Sequence, residues 1–230
     1  MTALLDELNA LGVTVADPAD AVPILRALMP ERVDLIRKCE RDSAMPAYEF
    51  LWFDLETTGL NPREGLILEF AAVLCEDARG DDFAEVAAYT GAIHYTPDVL
   101  AVALIDERVR EMHTRNDLWR DVAASTTTIG EVDAFLVALA DGLTGGKKHA
   151  ITLAGNSVHF DLAWARVFLP LFAEYLSHRV FDVSTLTRAV RSWGPEGVVW
   201  PKAEAHRALA DVRESIALAR EARRAMGWSC

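Results

Sequence analysis

The sequence predicts an α/β protein: a mixed sheet flanked by helices, with a helical extension over residues 1–45 and the main domain over residues 46–230. Three observations carry this. Beyond residue 48, three apolar strand patterns follow one another across short polar turns, which is the signal of an antiparallel meander. After them, strand patterns alternate with helical ones, which makes the sheet mixed and covers it with helices. The length of 230 residues buries a full core and suits one domain with an extension better than two equal halves.

In chain order, Leu4, Leu5, Leu8 and Leu11 follow helical spacing until Gly12, and "DPADAVPILRALMPERVDLIRKCER" offers two short helices broken by prolines. "SAMPAYE" links into the main domain. Its first strand covers residues 50–56 and turns at "TTGLNPREG", where Gly59 is free to take positive φ and Pro62 fixes its own. "LILEFAAVLCE" is the second strand, and the third lies near 84–94. Helices are expected at about 98–113 and 115–124, and another where Thr128 and Glu131 form a capping box. "HAITLAGN" is a short buried strand. "VHFDLAWARVFLPLFAEYL" is a helix that Pro170 must break or bend. "RVFDVSTL" passes from strand to helix, "WGPEGVVWPKAEA" is a loop, and a long amphipathic helix closes the chain at about 207–225.

Composition narrows the class. Apolar residues make up 51% and charged residues 25%, which is ordinary for a globular protein. No apolar run approaches the ~20 residues of a membrane span, and the N-terminus has no basic start to a secretory signal. Cys39, Cys75 and Cys230 are few and far apart, which suits a reducing, cytoplasmic setting. The net charge of −12 is the reverse of what a broad basic surface for nucleic acid would usually give, and an acidic balance is equally normal for a protein with no such partner. A polyanionic partner would have to be met locally, through metal ions or a few Arg and Lys. The six tryptophans mostly have apolar neighbours and are expected in packing rather than in base stacking.

Candidate chemistry begins at "FLWFDLETTGL". Asp54 and Glu56, two apart on a strand, share a face and repel unless something positive lies between them. Asp161 follows in "AGNSVHFD", on a helix after a buried strand, with Asn156 and Ser157 at the junction. His206 and Asp211 open the last helix in "AHRALADVRES". Five residues make about 140° around a helix, so the two converge only if His206 sits at or before the helix start. Four carboxylates and one histidine suit a phosphodiesterase site with two divalent ions roughly 3.5–4 Å apart. Hard Mg²⁺ or Mn²⁺ prefers carboxylate oxygen. A histidine, with an ordinary pKa of ~6.5, suits the removal of a proton from the attacking water.

In this order and context the residues resemble the DEDDh family of 3′–5′ exonucleases over roughly residues 48–222. The resemblance implies a ribonuclease H-like fold with a mixed five-stranded sheet. It implies Asp54, Glu56, Asp161 and Asp211 as ligands of two Mg²⁺ or Mn²⁺ ions, and His206 as general base. Within the family, "LWFDLETTGL", "EMHTRNDL", "AAST", "AGNS", "HRVFDVSTL" and "HRALADVRES" are most similar to oligoribonucleases, homodimers that trim very short RNAs from the 3′ end. That similarity implies that Leu60 meets a base and that Thr57, His113 and Asn156 belong to the substrate pocket. It also implies that Ser157, Arg179 and Ser184 hold the 5′ phosphate of a short single-stranded RNA. Arg179 suits this because a guanidinium grips phosphate in bidentate fashion. Ser184 also reads as the N-cap of the helix after it.

The chain departs from oligoribonucleases in four places. Thr58 stands where many have Met, and His178 replaces the family's aromatic cap. Arg108 and Arg110 lie where many carry a base-wedging Trp, and residues 1–45 have no counterpart. An exonuclease acting on single-stranded DNA, docked to a partner through its N-terminal helices, is the alternative within the same chemistry. A silent binding module on this fold is the remoter one, since it would be expected to lack a metal ligand.

Overall fold

The computed structural model describes residues 14–15, 50–75, 83–200 and 205–227. Its sheet has six strands in the order β1-β4-β3-β2-β5-β6. These are β1 (Thr14–Val15), β2 (Phe50–Thr57), β3 (Ile67–Cys75), β4 (Glu85–Ala92), β5 (Ile151–Gly155) and β6 (Leu176–Asp182). The three-strand meander is present: β2 pairs antiparallel with β3, and β3 with β4. β5 and β6 then add in parallel on the other side of β2. The five expected strands are all there, and the two-residue β1 adds a sixth, antiparallel to the edge of β4. Apart from β1, the helical reading of residues 1–45 lies outside the described residues.

Eight helices follow among the described residues: α1 (Pro97–Val102), α2 (Glu107–Arg115), α3 (Leu118–Ala124), α4 (Ile129–Thr144), α5 (His159–Phe168), α6 (Pro170–Ala173), α7 (Val183–Trp193) and α8 (Ala208–Ala225). The single helix expected at about 98–113 is two. Ala103 takes extended backbone, and Asp106 caps a new helix by accepting from the Arg108 N–H. Thr128 and Glu131 form the expected capping box, and Pro170 divides α5 from α6. The cap of α7 is Asp182, not Ser184.

The period-2 alternation of β2 decides how the layers form. Leu51, Phe53 and Leu55 face a core closed by α4, α5 and α6, with Leu136, Leu139, Trp164 and Phe172. Trp52 faces the other core, closed by Val183 of α7 and by Ala208, Val212 and Ile216 of α8. Asp54 and Glu56 follow Trp52 on that second face, at the end of the strand where its packing runs out. Trp52 and Trp164 are buried, as expected, whereas Trp193 is 87% exposed at the end of α7.

The turn after β2 is closed differently from the sequence expectation. Gly59 is not among the positive-φ glycines. The demand falls on Gly65, where a Cβ would come within 2.6 Å of the Thr58 hydroxyl and 2.7 Å of the Trp164 ring. Thr58 fastens this turn, its N–H donating to Leu66 O and its hydroxyl accepting from Leu66 N. A register shift at Glu56/Thr57 bends β2 just where its acids emerge.

Candidate active site

Asp54 and Glu56 come from the end of β2, and Asp211 comes from the first turn of α8. One carboxylate oxygen from each lies within 4.8 Å of the others. Glu56 is buried, and Asp54 and Asp211 are half-buried. Burial, reinforced by Asp211 and Glu69, pushes the Asp54 carboxyl up to about 7. Burial and the charges of Asp54, Asp211 and Glu69 push Glu56 up to about 9. Asp211 rises less, to about 6, because His206 beside it partly offsets burial. No Lys or Arg pairs with these three among the described residues. The repulsion seen in the sequence is thus present in the fold, with no counter-charge among the described residues.

Asp161 is the fourth carboxylate and reaches the site differently. It is buried in the first turn of α5, and its Oδ1 accepts from the Leu55 N–H at 2.9 Å, between Asp54 and Glu56 in β2. Burial and the Asp54 charge raise its pKa well above the ordinary value. Gly155 lets β5 approach β2 here, since a Cβ would lie 2.7 Å from Phe53 O.

His206 stands just before α8, exposed, with φ of 46° in the left-handed region. This placement before the helix start brings it and Asp211 to one cleft of about 220 Å³, lined also by Asp54, Asn156, Glu214, Ser215 and Leu218. Non-glycine residues in this region cost on the order of 1–3 kcal/mol and gather at functional sites. Ser157, next in sequence to Asn156, has φ of 59°.

The remaining expected residues divide. Leu60 is 85% exposed beyond the end of β2, open to a ligand. Thr57 is buried, and its hydroxyl donates to Gly59 O at 2.8 Å, which shapes the turn. Asn156 lines the cleft, its N–H donating to Ser215 Oγ. Ser157 and Ser184 do come together, through Asp182. One oxygen of Asp182 accepts from Ser157 N at 3.0 Å, Ser184 N at 2.9 Å and Ser184 Oγ at 2.6 Å. Burial raises the Asp182 pKa, but these bonds and His159 outweigh it and hold the carboxyl below its ordinary value. Arg179 is exposed on β6. His113 is fully buried, its Nε2 3.5 Å from Glu56 Oε2 and without a hydrogen-bond partner. It reaches the site through Glu56 rather than on an open surface.

Three residues escaped the sequence reading. Glu69 lies directly opposite Glu56 in the β2–β3 register, and Arg207 grips it, with Nη2 2.8 Å from Oε1. The Ala208 N–H also donates to Glu69. Asn116 donates its side-chain amide to the His206 carbonyl. A signal existed for the first: Glu69 is charged in a nine-residue strand that is otherwise wholly apolar.

The family model for exonucleases matches residues 51–219. The oligoribonuclease of Corynebacterium diphtheriae is 37% identical over 169 residues, 72% of this chain and 77% of that protein. The human mitochondrial oligoribonuclease is 34% identical over 172 residues, 74% of this chain and 70% of that protein. Among solved structures, E. coli exonuclease I with a dT13 oligonucleotide superposes with a TM-score of 0.58 at 19% identity. That match covers 78% of this chain but only 42% of exonuclease I, so it speaks for the fold alone. The chain belongs to the exonuclease family, in its oligoribonuclease-like DEDDh branch.

Proposed function

We propose that this protein is a metal-dependent 3′–5′ exoribonuclease that hydrolyses short RNA to 5′-mononucleotides. The observation that carries the reading is the meeting of Asp54, Glu56 and Asp211 beside His206, with no basic side chain to balance them among the described residues. All-oxygen donors suit a hard divalent ion, and carboxyls raised by burial and mutual repulsion would be relieved by one. Asp54, Glu56, Asp161 and Asp211 would hold Mg²⁺ or Mn²⁺. When bound, a pair of such ions would neutralise the scissile phosphate and ease ionisation of the attacking water.

The rest falls to the chain's own groups. His206, which lines the cleft, takes the proton of that water, and its exposure lets it pass the proton to solvent. Asp211 lines the same cleft beside that ring. Leu60 offers an apolar surface to the terminal base and Asn156 borders the terminal nucleotide, while Thr57 shapes the turn that presents Leu60. The Ser184 hydroxyl is already committed to Asp182, so the hold on a 5′ phosphate rests chiefly on Arg179. A homodimer, carried over from the resemblance, and a cytoplasmic setting, read from the few scattered cysteines, belong to the same proposal.

The test is a time course with Mn²⁺ on 5′-labelled RNA of two, five and twenty nucleotides, with matched DNA. Rapid loss of the dimer and pentamer, with the long RNA and the DNA barely touched, is the expected result. Steady trimming of the long RNA or of DNA would refute the limit to short RNA and point to an open cleft.

A further inference from the structure

His206 is held by groups that do not line the cleft. Its carbonyl and that of Ala205 both accept from the Asn116 side-chain amide, the latter at 3.4 Å. The same amide nitrogen is 3.5 Å from His113 Nδ1, and the far nitrogen of that ring faces Glu56 at 3.5 Å. On the other side of His206, Arg207 Nη1 donates to the Asn116 carbonyl at 3.2 Å, while its remaining nitrogens hold Glu69 and Asp121. Asn116 Oδ1 meanwhile accepts from the Leu118 N–H and starts α3.

We propose that Asn116 is a positioning residue for the reaction: its amide fixes the left-handed backbone of His206 and so aims the imidazole at the carboxylate cleft. The physical reason is the φ of 46°. An exposed, non-glycine residue leaves this basin readily unless its neighbours over-determine it. Two carbonyls bound to one amide do so. Released, the ring of an exposed side chain swings away from the water it must deprotonate, and a displacement near 1 Å already costs about a hundredfold in rate. The inference rests on His206 acting as the base.

Asn116→Asp separates the roles, because it keeps the oxygen that caps α3 and removes the donors to the Ala205 and His206 carbonyls. At saturating Mn²⁺ on the RNA pentamer, kcat should fall about tenfold or more while KM and the melting temperature hardly change. Amide exchange across residues 205–208 should quicken. Unchanged exchange, or quickened exchange with an unchanged kcat, would overturn the proposal. A loss of kcat matched by lower Mn²⁺ affinity or a large drop in melting temperature would overturn it too, as a general structural effect. Inactivity of the wild-type protein on both RNA and DNA would instead remove the hydrolase reading itself, and with it any reaction for Asn116 to serve.

Discussion

Two groups of acids occupy the same end of the same sheet and are treated oppositely. Glu69 on β3 is buried, yet Arg207 meets it with Nε and Nη2 and the Ala208 N–H adds a third donor. Glu56 on β2 lies directly opposite it in the register, equally buried, and among the described residues it faces other carboxylates and His113, whose Nε2 stands 3.5 Å away without a hydrogen-bond partner. Like charges opposed across two strands destabilise a sheet unless one is neutralised. The fold neutralises one and leaves the other. A closed ion pair is architecture, whereas an unbalanced cluster at the mouth of a cleft is kept for a ligand.

Substitution of the two groups should break in opposite directions. Asp54→Asn should abolish hydrolysis, by about a thousandfold or more, while the melting temperature without added metal holds or rises, because a repelling charge is gone. Retained activity in a metal-supplemented assay would sink the ligand role. Arg207→Met should lower stability by about 3 kcal/mol in urea denaturation, since it strands Glu69 without its cation. A loss below about 1 kcal/mol would place Glu69 with the unbalanced acids after all.

The smallest effect is the most diagnostic. Asp54 and Glu56 rise from ordinary values of 3.8 and 4.5 to about 7 and about 9 in the folded protein. Between those limits the folded state keeps protons that the unfolded chain has released, so this contribution to stability falls as pH rises. Without added metal, the melting temperature should drift down by a few degrees from about pH 5 to pH 9. Saturating Mn²⁺ should reverse the trend, because the ion binds the deprotonated carboxylates. A flat profile in both conditions would mean the acids do not repel as their placement indicates.

Much of this was legible in the chain. The meander, the Thr128 capping box and the break at Pro170 follow from local patterns, which tertiary packing did not override. The separation of His206 from Asp211 required the histidine to precede the helix, and it does. The Glu69–Arg207 pair was hidden because it joins residues 138 apart, and register across strands cannot be read from one strand. Ser184 was misread as a cap because Asp and Ser serve equally there, and Asp182 reached the orphan N–H first. His113 was assigned by resemblance to the substrate pocket, but α2 turns its ring inward behind Glu56.

The short pairing of Thr14–Val15 with Ala87–Ala88 bears on how association of this protein should be measured. Those two residues shield part of the outer margin of β4. A truncated protein starting near residue 46 would present that margin bare, with unpaired amides and carbonyls ready to accept a strand from another molecule. A dimer or aggregate formed by such a fragment would then report an exposed border, not the assembly state of the 230-residue chain.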